Sequence, residues 1–126
     1  GMDLAEIQRQ FAEADDFNRA DRDYFIELLK SVPARLEPID RDIAEYLDRP
    51  MTQVDPVERA ILRIATYELL YRIDVPYRVI LNEAITLTRK FGAEQGHAFV
   101  NGVLDKLARK LRPDEYSRKP QQVNGL

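Results

Sequence analysis

The chain has 126 residues, of which 44% are hydrophobic and 33% charged: enough apolar content for one packed core, and too little length for two ordinary domains. It has no cysteine, which excludes a disulfide framework, a thiolate nucleophile and a cysteine-based zinc site, and its apolar runs are too short to cross a bilayer. The net charge of −3 argues against a nucleic-acid binder until it is divided, because residues 1–77 hold 10 Lys and Arg against 17 Asp and Glu whereas residues 78–126 hold 9 against 5. One part suits a basic partner and the other an anionic one, although a charge imbalance also describes a solvated surface.

Apolar residues recur at helical spacing throughout, and hairpin turns are nearly absent. Leu4, Ile7, Phe11 and Ala14 behind Asp3 predict a short first helix, and the polar stretch 15–20 breaks it. From Asp21 a long stripe runs through Tyr24, Phe25, Leu28, Val32, Ile39, Ile43, Tyr46 and Leu47. Pro33 and Pro38 within it predict a kink or two shorter helices. Asp55-Pro56-Val57-Glu58 is the clearest boundary: Asp55 caps, Pro56 fits the first helical position and Glu58 can close a capping box. That helix runs to about Arg72 and ends before Pro76; a further helix from Tyr77 to Phe91 is closed by Gly92, and a last one carries Phe99 to Leu111 before Pro113. Residues 114–126 read as a polar tail. The chain is all-α.

Little catalytic chemistry is visible. The single histidine, His97, has no second histidine or cysteine with which to hold a metal and no neighbouring serine to activate. Carboxylates such as Asp40 alternate with arginines at helix spacing and read as solvated faces, and no glycine-rich phosphate loop is present. The residues point to no enzyme, no metal and no cofactor. Asn82, Glu83 and Asn101 interrupt apolar runs, which suggests cross-links between helices or contact with a ligand, and Gly102 inside a helix suggests close packing of a neighbour.

The run Asp55-Pro56-Val57-Glu58-Arg59-Ala60-Ile61-Leu62-Arg63-Ile64-Ala65, then Tyr67-Glu68-Leu69, Asp74-Val75-Pro76-Tyr77, Asn82-Glu83-Ala84-Ile85, Phe91-Gly92 and Phe99-Val100-Asn101-Gly102-Val103-Leu104-Asp105-Lys106, resembles the NusB family of transcription antitermination factors. The motifs occur in the same order with matching spacing over residues 3–113. The resemblance implies a single all-helical domain over residues 1–113, made of two small helical subdomains, at about 3–50 and 55–113, with residues 114–126 as a tail. It implies a cytoplasmic factor of the transcription elongation complex that binds boxA RNA and the small-subunit ribosomal protein NusE, without a membrane. Two other readings are a NusB-like RNA-guiding module of an rRNA cytosine methyltransferase and a protein-interaction scaffold with little RNA affinity.

Family members begin with an arginine-rich segment and a first helix that this sequence lacks, so the N-terminal subdomain is expected without its first helix. The apolar stripes that helix would cover, Leu4, Ile7, Phe11 and part of 24–32, then predict a homodimer or repacking through the uncovered face. The same resemblance assigns site residues. Glu58 is the position that faces the basic ribosomal partner, against the alternative of a closed capping box. Phe99 is a candidate stacking platform for an unpaired base or else a core residue, and Gln95 stands where many relatives carry an acid. Arg78, Arg89, Lys90 and Lys106 are candidate phosphate contacts or solvated charges, and Tyr46 and Arg49 are carried over from the family's RNA-facing side.

Overall fold

The structure is a computed structural model that describes residues 19–118; the expected first helix at 4–14 lies outside them. Six α-helices follow in order: α1 (Arg19–Ala34), α2 (Leu36–Ala44), α3 (Pro56–Tyr71), α4 (Tyr77–Phe91), α5 (Gly96–Leu111) and α6 (Pro113–Ser117), with a 3-10 turn at Met51–Gln53 between α2 and α3. Pro38 divides the long stripe, because in a continuous helix its ring would meet the carbonyl of Ala34, whereas Pro33 lies inside the last turn of α1. The break falls at Arg35 (φ −120°, ψ 25°), which leaves Pro38 in the first turn of α2, where a missing N–H costs no helical bond.

α3 is central and packs against α1, α2, α4 and α5. Its start follows from local chemistry: the Asp55 carboxylate accepts from the amides of Val57 and Glu58, and Pro56 occupies the first position. One continuous core joins Leu28, Val32, Ile39 and Ile43 of α1 and α2 to Ile61, Leu62 and Leu69 of α3, Ile80 of α4, and Val100, Leu104 and Leu107 of α5. Asp40, expected on a solvated face, instead makes a bidentate pair with Arg63 at 2.9 Å for each bond and ties α2 to α3.

The cross-linking expected of Asn82, Glu83 and Asn101 and the close packing expected at Gly102 fail for one reason. Asn82, Glu83 and Asn101 are exposed, and a Cβ added at Gly102 meets nothing within 4 Å. These residues lie on the outer faces of α4 and α5, so they link no helices, and Gly102 marks no close approach. In the stripe 24–32, Leu28 and Val32 are buried and Tyr24 and Phe25 half-buried, leaving Ile26 as the large hydrophobic exposed there among the described residues.

The expected tail begins with a structured turn, α6. Arg112 is 6% exposed, and its guanidinium donates to the carbonyls of Glu68, Leu69, Arg72 and Val75 and to the Glu115 carboxylate. It thereby satisfies the open C-terminal carbonyls of α3. Glu115 in turn accepts from the amide of Tyr77 at 2.7 Å, at the start of α4. No helix among the described residues is long and apolar enough to cross a membrane.

Candidate nucleic-acid interface

The segment between α2 and α3 is held down by short-range bonds: the amide of Tyr46 donates to Ile43 O, that of Val54 to Met51 O, and Arg59 Nη1 to Met51 O at 3.3 Å. Tyr46 packs half-buried against the core, and three residues on Arg49 projects outward, paired with Asp48 at 2.8 Å. The guanidinium of Arg49 lies 4.9 Å from the centroid of the Phe99 ring. Its hydrogen bonds hold the Asp48 carboxyl below the usual carboxylate range.

Phe99 lies in the first turn of α5. Val100, Val103 and Leu104 fill the inner stripe, at 0%, 4% and 0% exposure, which leaves the Phe99 ring half-buried at its edge. The α4–α5 loop that leads to it is tight. Gly92 is extended (φ −87°, ψ −180°), and a Cβ there would lie 2.7 Å from Thr88 O, so close approach selects glycine rather than a left-handed turn. The left-handed residue is Gln95, at φ 71°, and it is exposed.

Glu58 does not face the surface. It is 7% exposed, and its carboxylate turns toward the loop, where the backbone N–H of Ala93 favours its charged form and a Cβ at Gly96 would lie 2.8 Å from Cδ. Burial pushes its pKa up, Asp55 adds to this, and the Ala93 amide and Arg49 oppose it. The capping box is therefore half formed: Asp55 receives the Glu58 amide, but the Glu58 side chain does not return the bond to Asp55. Direct pairing of Glu58 with a partner's lysine would first require its exposure.

The remaining candidates are distributed along two helices. Arg89 and Lys90 are exposed in the last turn of α4, next to the loop, where a positive charge also complements the helix dipole. Lys90 lies 5.7 Å from the Phe91 ring centroid. Lys106 is exposed seven residues after Phe99 and so shares its stripe of α5. Arg78 is set apart: it lies over Tyr77 at 5.4 Å, at the opposite end of α4, about 16 Å along the axis from Arg89 at 1.5 Å rise per residue. Asp48, which fixes Arg49, was passed over in the sequence, although the two are neighbours in the chain and an Asp-Arg step was the available signal. Among the described residues no group of three His, Cys, Asp or Glu could hold a metal ion, and His97 is half-buried at the start of α5.

The fold and this end of it define a class: a small all-α protein that presents a half-buried aromatic ring under a guanidinium, flanked by basic helix positions. Comparison with known proteins makes it particular. The model of the NusB family matches residues 2–109. The chain is 51% identical over 116 residues to the transcription antitermination protein NusB of Nitrosococcus oceani, covering 92% of this chain and 78% of that protein. It is 50% identical over 114 residues to the protein of that name from Pseudoalteromonas atlantica, covering 90% and 81%. A solved structure of T. maritima NusB is similar with a TM-score of 0.69 and 27% identity, over 95% of this chain and 89% of that one. The chain belongs to the NusB family.

Proposed function

We propose that this chain is a transcription antitermination factor that binds boxA-type RNA together with the ribosomal protein NusE, and so supports processive transcription of ribosomal RNA operons within the cytoplasmic elongation complex. It acts by binding, with no catalytic step. The observation that carries the reading is the contact of Arg49 with the Phe99 ring beside the α4–α5 loop, in a chain about half identical to proteins named for antitermination.

The physical role of each part follows. An unpaired base stacks on the open part of the Phe99 ring or on the Arg49 guanidinium plane, a contact worth about 1–3 kcal/mol per base and tolerant of sequence. Lys106, Arg89 and Lys90 neutralise phosphates and release counterions, which makes affinity fall with salt. Gln95 adds no negative charge at the loop. The excess of acidic residues over positions 1–77 attracts a basic ribosomal protein and speeds its encounter.

A gel-shift titration with boxA RNA, with and without NusE and at several salt concentrations, tests this. The reading expects a shift that tightens when NusE is added and weakens with salt. Absence of any shift even with NusE present would overturn it in favour of a protein-interaction scaffold.

A further inference from the structure

We infer that Glu58 is a positioning residue of the RNA-binding end: from the head of α3 it sets the α4–α5 loop, and through it the Phe99 ring. This rests on the RNA-binding reading above. The helix start does not need the Glu58 side chain, because Asp55 already accepts from the amides of Val57 and Glu58. A carboxylate buried without a local duty is costly unless its surroundings use it.

Here the surroundings are the loop. Gly96 leaves the space that the carboxylate occupies: an added Cβ would overlap Glu58 Oε2 and lie 2.8 Å from Cδ. The residue before it, Gln95, holds a left-handed backbone at φ 71°, a conformation a non-glycine side chain keeps only when neighbours impose it. Phe99 follows Gly96 by three residues on the same helix, so a displacement of the Gly96 backbone is passed to the ring. On the other side, Arg49 lies 4.9 Å from the Phe99 centroid and is drawn both to Asp48 and to the Glu58 charge. Glu58 thus lies against the loop that leads into Phe99 while being closed to solvent.

A pair of size-complementary substitutions tests this at constant charge. Gly96→Ala fills the space of the Glu58 carboxylate, and Glu58→Asp withdraws it by one methylene. Binding of a labelled single-stranded boxA RNA is measured for the wild type, Gly96→Ala, Glu58→Asp, the double variant and Phe99→Ala, with Phe99 ring resonances followed by NMR. Gly96→Ala should weaken binding roughly tenfold, within the worth of one stacked base, and move the Phe99 resonances. Adding Glu58→Asp should recover most of that loss. Additive losses in the double variant, or Gly96→Ala binding as the wild type does, would overturn the positioning role. If Gly96→Ala does not fold, Glu58→Asp alone decides: shifted Phe99 resonances with weakened binding support the role, and unchanged ones overturn it. Failure of the wild type itself to bind RNA would instead remove the functional reading, and this role with it.

Discussion

The hydroxyl of Tyr24 donates a 2.6 Å hydrogen bond to the carboxylate of Glu68, joining α1 to α3 in a network where Tyr67 and Arg72 both donate to Glu27. Burial raises the Glu68 pKa to about 7, with nearby Glu83 and Glu27 adding to the rise while the Tyr24 bond and Arg72 oppose it. Tyr24 itself is pushed above the ordinary tyrosine range, by burial first and then by the Glu68 bond. The folded chain therefore binds the Glu68 proton more tightly than the unfolded one, whose carboxyl keeps its ordinary value of 4.5.

The sign of the resulting pH dependence is fixed. The contribution of Glu68 to stability is full below about pH 4.5 and is lost as pH rises to about 7, a loss on the order of 3 kcal/mol. Glu68→Gln can still accept from Tyr24 but does not titrate. Urea denaturation at pH 5 and pH 8 should show a larger fall for the wild type than for Glu68→Gln; equal falls would contradict the assignment.

Arg112 should be among the side chains most sensitive to substitution. Its fork reaches four backbone carbonyls and Glu115, and a lysine cannot reproduce that planar geometry. Arg112→Lys leaves several buried carbonyls unsatisfied and should lower the unfolding free energy by about 2–4 kcal/mol. Chemical denaturation checks this, and a loss below about 1 kcal/mol, the worth of one ordinary hydrogen bond, would show that the carbonyls find other donors.

Gly102 gives the opposite expectation. It lies in the interior of α5, exposed, with open space where a Cβ would stand. Gly102→Ala should stabilise the fold by about 0.5–1 kcal/mol through helix propensity alone. A lower melting midpoint would mean that the position has a contact the structure does not contain.

These cases show what the sequence could and could not reveal. The start of α3 was legible because Asp55, Pro56 and the amides that Asp55 accepts from are adjacent in the chain, and the break before Pro38 was legible because a proline's clash is local. The cross-links expected of Asn82, Glu83 and Asn101 are absent: an apolar run does not state which residues face outward, and on α4 and α5 these face solvent. Arg112 carried no signal in the sequence, since the carbonyls it serves lie some forty residues earlier. For the site, the family resemblance supplied Phe99 and Arg49 as separate residues. Their contact and the burial of Glu58 depend on how the α2–α3 segment and the head of α3 meet the α4–α5 loop, which no local pattern encodes; the Asp48 tether, between chain neighbours, was local and was passed over.

The most direct test of the central claim is the boxA RNA affinity of Phe99→Ala, measured by fluorescence anisotropy alongside its melting midpoint. Phe99 is half-buried at the edge of a core that Val100 and Leu104 already fill, so its removal should cost more in binding than in folding. The account predicts a loss of affinity of about 5- to 150-fold, the worth of one stacked base, with a comparatively small drop in melting midpoint. An unchanged affinity accompanied by a large drop in melting midpoint would contradict it and make Phe99 a core residue.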